Sequence, residues 1–177
     1  AVVTTKGLGI LWVYAELLVE FYASLAVLWT ILLGIGAIFL GKRIWRLIRY
    51  VHEPVLIAFS TASSEAALPK LFDQLDRFGV PRRISGFMLP MGYSFNLDGS
   101  MMYSSFAVIF IAQAYNIDID IGTQILILLT LMISSKGIAA VPRASIVVIT
   151  ATLAMFGLPV EGVAIILAID QFLDMGR

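Results

Sequence analysis

The sequence predicts an all-α membrane protein, and three observations support this fold class. The 177 residues are 60% hydrophobic, with a mean hydropathy of +0.95, and only 14% of them are charged. Long apolar segments recur along the chain, and the Lys and Arg residues gather in short stretches between them. Soluble globular domains are less apolar and more highly charged than this. The chain is therefore expected to form several transmembrane helices.

The composition also excludes several classes of protein. Twelve basic and twelve acidic residues cancel, so the net charge suggests no nucleic-acid partner. Cysteine is absent, which excludes disulfides and thiolate metal sites. A single histidine, His52, does not favour a zinc site or a His-based catalytic triad. We therefore expect neither an enzyme nor a resident cofactor. Because the chain starts without Met and stops inside a periodic pattern, we interpret it as a fragment.

The first predicted element is a transmembrane helix over residues 8–40, an almost unbroken apolar run. At about 1.5 Å per residue this helix would span about 50 Å. That length exceeds the ~30 Å hydrocarbon core, so we expect the helix to tilt or to project into water. Glu16 and Glu20 lie one turn apart within it. They predict a face that packs against other helices or lines a watery cavity.

The charges in the loops predict the two sides of the membrane. Two basic groups flank the second predicted element, with Lys42, Arg43, Arg46 and Arg49 before it and Lys70, Arg77, Arg82 and Arg83 towards its end. The charged residues of the loops at 115–123 and 157–162 are all acidic, namely Asp118, Asp120 and Glu161. The positive-inside rule therefore places both basic groups on the cytoplasmic side and the acidic loops outside.

This topology predicts two opposed re-entrant helical hairpins. Residues 54–72 leave the cytoplasmic side and must return to it, yet they are too few to cross the membrane twice. We predict an inner hairpin over residues 51–78, whose half-helices meet at 60–64. The same argument predicts an outer hairpin over residues 123–158, with its tip at 135–143. Such backbone is tolerated at membrane depth only where it lines a protein cavity.

The two predicted hairpin tips resemble each other in sequence. Each carries two adjacent serines, then small residues, and then Pro followed by a basic residue, with an offset of two positions between them. Similar hairpins that enter from opposite faces indicate an inverted repeat. Chance similarity between small residues is the alternative.

The next predicted span, a broken transmembrane helix over residues 84–114, carries a polar motif at its centre. Residues 94–100 read Ser-Phe-Asn-Leu-Asp-Gly-Ser within an otherwise apolar segment. An ionised Asp near the bilayer centre costs roughly 2.5–3.5 kcal/mol unless something pairs with it. Pro90, Gly92 and Gly99 accompany the motif, so we predict that the helix unwinds there and turns carbonyl groups inward. An unwound, oxygen-rich segment at this depth predicts a cation site.

The last predicted element is the start of a transmembrane helix over residues 160–177. Asp170, Asp174 and Arg177 fall within about 60° of one helix face. A structural salt bridge between Asp174 and Arg177 is one interpretation. A substrate or ion path is the other, since charges on one face of a membrane helix typically mark such a path.

Four motifs occur in order along the chain. They are a Ser-Ser tip followed by Leu-Pro, the motif at 94–100, Ser-Lys-Gly followed by Val-Pro, and the acidic and basic residues at 169–177. Together they resemble the dicarboxylate/amino acid:cation symporter family, which includes glutamate and aspartate transporters. The resemblance covers nearly the whole chain.

The resemblance implies that the chain is a partial transport domain. In the family this domain moves through the membrane as an elevator, and the outer hairpin is its extracellular gate. The implied surroundings are the lipid bilayer of a plasma or inner membrane, crossed several times by the protein. The implied assembly is a homotrimer, formed through scaffold helices that this chain lacks.

The resemblance also implies two sets of site residues. Coupling cations would be bound by the broken helix, the outer hairpin and the last helix, at Gly92, Ser94, Asn96, Asp98, Ser135, Lys136, Ile138 and Asp170. A sodium ion, if sodium is the coupling ion, would lie at Asn96 and Asp98. The substrate would contact the hairpin tips, the end of the motif and the last helix, at Ser63, Ser64, Ser100, Val141, Arg143, Ser145, Asp174 and Arg177.

Two of these residues predict the substrate. By resemblance, Asp174 receives an amino group and Arg177 pairs with a side-chain carboxylate in a bidentate fork. Having both favours glutamate or aspartate, with a C4-dicarboxylate carrier of the same family as the alternative and an ion channel as a remoter one. Arg143 stands where many members have Gly, and it could replace a positive charge that some members carry at the position of Ala62. Sodium and proton coupling are both compatible with the sequence.

Overall fold

Residues 9–136 and 143–177 are described by the computed structural model, and they fold into helices joined by short turns. No β-strand occurs within these two ranges, in agreement with the predicted all-α class. The helices are α1 (Gly9–Leu40), α2 (Arg43–Thr61), α3 (Ser64–Phe78), α4 (Arg82–Phe95), α5 (Asp98–Ala114), α6 (Ile121–Ser134), α7 (Ala144–Met155), α8 (Val163–Ile166) and α9 (Asp170–Gly176), with a 3₁₀ turn at Val160–Gly162.

Helix α1 is a 32-residue apolar rod that buries only a narrow stripe. Tyr14, Leu17, Phe21 and Leu25 recur every three or four residues along this stripe and pack against the rest of the protein. The other faces are apolar as well, and Trp12 among them is 77% exposed. An exposed apolar surface of this extent is typical of a helix that contacts lipid or a protein partner.

Two helical segments of the described chain are long and apolar enough to cross a membrane. They are Gly9–Leu40 and Arg82–Ala114, and they coincide with the predicted spans at 8–40 and 84–114. Their length and apolar composition agree with a membrane protein.

Helices α2 and α3 form a packed antiparallel pair. The chain reverses at Ala62, which adopts left-handed backbone angles with φ of 51°, and Ser63 then caps α3 by accepting the Ala66 N–H at 3.4 Å. Lower down the pair, Glu53 joins the two helices through Lys70 at 2.8 Å and Gln74 at 3.1 Å. The reversal falls within residues 60–64, where the half-helices are predicted to meet.

The segment at 82–114 is two helices with a short interruption. Helix α4 ends at Phe95 and α5 begins at Asp98, so that Asn96 and Leu97 have non-helical backbone angles. Pro90 and Gly92 lie inside α4, upstream of the break. The interruption places Asn96 just after the end of α4 and Asp98 at the start of α5. At such helix ends, carbonyl and N–H groups have no partner within the helix.

Helix α6 begins at an acidic cap outside the predicted membrane core. Asp120 accepts the Thr123 hydroxyl at 2.6 Å and the Thr123 N–H at 3.0 Å. These hydrogen bonds hold the pKa of the Asp120 carboxyl below its usual value. Helix α6 ends at Ser134 and α7 begins at Ala144, while residues 137–142 of the predicted outer tip lie outside the described ranges.

The last segment, predicted as the start of one helix from residue 160, is divided by a turn. The 3₁₀ turn and α8 end at Ile166, and a new helix, α9, begins at Asp170. The divided form places the Asp170 carboxylate in the first turn of α9, where the helix dipole favours a negative charge.

The core of the protein is organised around α5, which contacts α1, α6, α7, α8 and α9. Tyr103, Val108 and Ile111 of α5 are fully buried. The ring of Phe21 in α1 packs against the rings of Tyr103 and Phe106, with centroid separations of 6.2 and 5.9 Å. The polar residues at the start of α5 are therefore supported by a helix that is itself held on several sides.

The 3₁₀ turn lies against α5 without space for a side chain. A Cβ atom at Gly162 would collide with the side chain of Ile111 and would lie 3.2 Å from the ring of Tyr115. The backbone of Gly162 has ordinary right-handed angles. Glycine is therefore required by the close approach of the two segments.

We expect Gly162→Ala to destabilise the fold, because the added methyl group must displace Ile111. Overpacking of this kind costs about 1–3 kcal/mol of the free energy of unfolding. Denaturant unfolding of the purified full-length protein in detergent measures the change. Gly34→Ala in α1 is the matched control, since nothing lies within 4 Å of a Cβ atom there. Equal stability of the two variants would contradict the packing interpretation.

Candidate functional site

The candidate site is centred on two charged residues at the end of α9. The Nε of Arg177 donates to one carboxylate oxygen of Asp174, and its Nη1 donates to the Ser100 hydroxyl at 2.9 Å. The other oxygen of Asp174 accepts the backbone N–H of Arg143 at 2.8 Å. The side chain of Asp174 is 0% exposed and that of Arg177 is 6% exposed. Residues of α5, α7 and α9 thus meet at one buried ion pair.

A second buried acid lies one turn earlier on α9. Asp170 accepts the Tyr103 hydroxyl at 2.5 Å on Oδ1, and its Oδ2 lies 3.5 Å from the Nε of Arg143. The side chain of Asp170 is 0% exposed, whereas that of Arg143 is 66% exposed. Arg143 therefore contacts both acids, one through its backbone and the other through its guanidinium.

A cavity of about 290 Å³ connects the helix break to the ion pair. Its lining includes oxygen-bearing side chains of the inner tip and the broken helix, among them Ser64, Asn96, Asp98 and Ser100. The guanidinium-bearing Arg177 lines it from the last helix. Gly92 also borders this cavity. The structure therefore brings together the predicted inner tip, the broken helix and the last helix around one space.

A second cavity, of about 470 Å³, lies beside the first. Ser64 and Arg177 line both cavities, and Ser63 and Asp174 line the larger one. Most of its remaining wall is apolar, including Trp29 of α1. The charged pair thus faces both a polar space and a mostly apolar one.

Gly99 allows the start of α5 to touch the end of α9. A Cβ atom at this position would collide with the backbone carbonyl of Arg177. From its place beside the polar motif, Gly99 is expected to help the helix unwind, but the residue lies inside α5, and the break is at Asn96 and Leu97. The role that the structure gives this glycine is a close backbone contact.

The end of α6 is joined to the helix break by a lysine. The Nζ of Lys136 donates to the carbonyl oxygen of Phe95 at 2.6 Å, and this carbonyl is one of those that α4 leaves without a helical partner. The neighbouring Ser135 is buried, and its hydroxyl donates to Met132 at 3.2 Å. The predicted outer hairpin therefore contacts the broken helix directly.

The remaining predicted residues have other surroundings. Ser145 is buried, and its hydroxyl has no hydrogen-bond partner within the described ranges. Ser94 is exposed and borders neither of the two cavities. The side chain of Arg143 borders neither cavity and pairs with Asp170 instead. Ile138 and Val141 lie outside the described residues.

Tyr103 is a residue that the sequence analysis did not single out. It reads as one aromatic residue within an apolar helix, and only its pairing with Asp170 distinguishes it. A buried tyrosine hydroxyl usually finds a hydrogen-bond partner. That general expectation could have marked Tyr103 as a candidate, but the sequence does not indicate which partner it finds.

The oxygen atoms at the break fit a hard cation better than a transition metal. Among the described residues, no group of three or more His, Cys, Asp or Glu side chains comes together. Asn96 and Asp98 instead offer carboxamide and carboxylate oxygens at the break between α4 and α5. Ligands of this kind suit cations that prefer oxygen.

The sequence profile of the sodium:dicarboxylate symporter family matches residues 1–177. The proton/glutamate-aspartate symporter of Escherichia coli K12 is 45% identical over 175 residues, which cover 99% of this chain and 40% of that protein.

Two further bacterial relatives have similar sequence identity to this chain. The proton/sodium-glutamate symport protein of Geobacillus stearothermophilus is 47% identical over 163 residues, covering 92% of this chain and 39% of the relative. The protein of the same description from Bacillus subtilis is 43% identical over 175 residues, covering 99% and 41%. The chain therefore spans about two fifths of the length of these relatives.

We expect Tyr103→Phe to destabilise the protein, because it leaves the buried Oδ1 of Asp170 without its hydrogen-bond donor. The loss of one partner from a buried polar group costs about 1–3 kcal/mol of the free energy of unfolding. Denaturant titration of the purified protein measures it. Tyr115→Phe, at an exposed tyrosine, is the control. Equal stabilities would indicate that the Tyr103 hydroxyl does not support Asp170.

Proposed function

Because the chain belongs to the sodium:dicarboxylate symporter family, we propose that it is the substrate-carrying part of a membrane symporter for glutamate or aspartate, driven by sodium ions or protons. The buried pair of Asp174 and Arg177 carries this proposal. The relatives named as glutamate symporters support the same substrate class. Because the family consists of symporters, we propose no enzymatic activity and no cofactor other than the coupling cation.

The substrate would be recognised by exchange of ionic partners. An acidic amino acid carries one ammonium group and two carboxylates, so it can offer a cation to Asp174 and an anion to Arg177. The guanidinium presents a planar fork that matches a carboxylate. Ser100, Ser64 and Ser63 add hydroxyl groups in the adjoining cavities. Ser145 and Val141 are proposed contacts from the outer hairpin.

The charge of the site explains a need for coupling cations. Asp98 lies half-buried beside the cavity that Arg177 also borders. The one positive charge of Arg177 is already matched by Asp174. A bound acidic amino acid adds a further negative charge in a region shielded from water, where unbalanced charge is costly. A cation held by Asn96 and Asp98 would offset that cost, so substrate and cation would bind together.

Further cation contacts are proposed at the break and at the outer hairpin. Gly92 and Ser94 would contribute backbone or hydroxyl oxygens from the end of α4. Ser135, Lys136 and Ile138 would contribute from the outer hairpin, where the backbone carbonyls are the available ligands. Asp170 would bind the cation at the outer hairpin through its carboxylate.

The proposed movement is that of an elevator. The α2–α3 and α6–α7 pairs would be re-entrant hairpins that enter from opposite faces, with α6–α7 as the outer gate. The chain, residues 1–177, would be part of the moving transport domain, in a multi-pass protein of the plasma or inner membrane. The exposed apolar faces of α1 support contact with lipid or with further helices. The remaining length of the relatives leaves room for scaffold helices that form a homotrimer.

A C4-dicarboxylate symporter is the second candidate. Dicarboxylates give the family its name, and Arg177 alone could bind a carboxylate. Asp174 favours the amino acid, because a plain dicarboxylate offers no ammonium group to this buried acid.

We expect Asp174→Ser to impair uptake of glutamate more than uptake of succinate. The substitution removes the acid that would receive the ammonium group, and loss of one charge-assisted hydrogen bond lowers affinity by roughly 10- to 100-fold. The measurement is uptake of both radiolabelled substrates into vesicles containing the full-length protein. Asp118→Ser, the same exchange at an exposed acid outside both cavities, tests whether loss of any acidic residue is sufficient to impair uptake. Unaltered glutamate uptake by Asp174→Ser would refute the amine-binding role.

We expect Asp98→Asn to weaken glutamate binding and to flatten its dependence on cations. The amide has a similar shape but lacks the charge that a cation would neutralise, so the loss should be roughly tenfold or more. Binding is measured with sodium replaced by choline at fixed pH, and then at several pH values without sodium. The wild type identifies the coupling ion in the same series. A wild-type cation dependence in Asp98→Asn would contradict the proposed cation site.

A further inference from the structure

We propose that Arg143 is a positioning residue that holds the outer hairpin, α6 and α7, against α9 through two contacts. Its backbone binds Asp174 and its guanidinium binds Asp170. The inference rests on the proposed function only in giving the hairpin a movement during transport. The contacts themselves require no substrate.

The first contact places Arg143 in a backbone conformation that favours glycine. Its φ of 64° is left-handed, and its N–H donates to Asp174 Oδ2 at 2.8 Å. Any residue with a backbone N–H could make this hydrogen bond, and glycine would make it with less strain. The arginine side chain therefore needs a separate reason to occupy this position.

The second contact supplies that reason. The Nε of Arg143 lies 3.5 Å from Asp170 Oδ2, an oxygen that has no hydrogen bond within the described part of the chain. The opposite oxygen is satisfied by Tyr103 at 2.5 Å. A fully buried carboxylate without a nearby positive charge is expensive. The guanidinium of Arg143, which lies mostly outside the core, reduces the free-energy cost of burying this carboxylate.

The two arginines of this cluster are attached to different elements. Arg177 extends α9, lies 6% exposed and pairs with Asp174 on the same helix. Arg143 precedes α7 and is 66% exposed. If α7 moves away from α9, Asp174 keeps its partner while Asp170 loses the guanidinium. The position of the outer hairpin is thereby linked to the charge balance of Asp170.

This link can be tested by measuring the distance between α7 and α4. Spin labels at Val147 and Met88, which are 71% and 55% exposed, report it by pulsed electron resonance in the full-length protein in lipid nanodiscs without substrate. The segment contains no cysteine of its own, which simplifies labelling. We expect Arg143→Gln to raise the population at longer distances by roughly twofold to fivefold, the effect of losing one partly exposed ion pair.

Three further variants separate the ion pair from a general loss of structure. Asp170→Asn should raise the same population, and the double variant should exceed neither single variant by much, because both remove one interaction. Arg143→Lys keeps the charge and should largely restore the wild-type distribution. Arg83→Gln, at an exposed arginine with no ion pair among the described residues, should leave it unchanged.

The outcomes distinguish this inference from the proposed function. Wild-type distances in Arg143→Gln, or additive shifts in the double variant, would overturn the positioning role, and the proposed function would still be decided by glutamate uptake of the wild type. Should Arg143→Gln fail to fold, Asp170→Asn and Arg143→Lys decide the question, since unchanged distances in the former or a full shift in the latter overturn it. A wild type that takes up no glutamate would refute the proposed function without altering the distance result.

Discussion

Burial of the ion pair between Asp174 and Arg177 determines much of the arrangement around it. Two charges removed from water are stable only if their remaining donors and acceptors are satisfied. Ser100 accepts one guanidinium hydrogen, and the backbone of Arg143 donates to the carboxylate. These partners require the first turn of α5 and the residue before α7 to lie beside α9, and the glycine at the start of α5 permits that approach. The partners of the Asp174–Arg177 ion pair thus account for the position of α5 and α7 beside α9.

The same cluster explains why the polar groups lie at helix ends. A helix interior uses its own carbonyl and N–H groups, whereas the ends leave them free for ligands and side chains. The break between α4 and α5 borders the cavity that Arg177 lines, the residue before α7 binds Asp174, and the lysine after α6 binds the end of α4. Helix ends supply the polar contacts, and the buried faces of α5 supply rigidity. Within residues 9–136 and 143–177, both requirements are met by helices and short turns.

The sequence predicted the helical class, the spans at 8–40 and 84–114 and the family. Long apolar runs and interrupted motifs carry that information, because hydrophobic length and backbone breaks are local properties of the chain. The acids of α9 were identified as functional candidates for the same reason, since charges are rare in membrane helices.

Other features depend on contacts between distant residues. The turn after α8 has neither Pro nor Gly at its centre, and so the sequence predicts a continuous helix there. Gly99 appeared to be a helix breaker because its collision with Arg177 is visible only in three dimensions. Nothing in the sequence around Tyr103 indicates its hydrogen bond to Asp170. The sequence places the side chain of Arg143 near the proposed substrate, and only the structure shows its contact with the buried acid Asp170.

The contact between Gly99 and the carbonyl of Arg177 limits which residue can stand at the start of α5. Main chain meets main chain at this point, so this one contact does not involve the side chains at positions 174 and 177. Exchanging those two side chains would alter the charges of the site and leave this contact in place. A residue larger than glycine at position 99 would instead push α5 and α9 apart, whatever charges stood beside it.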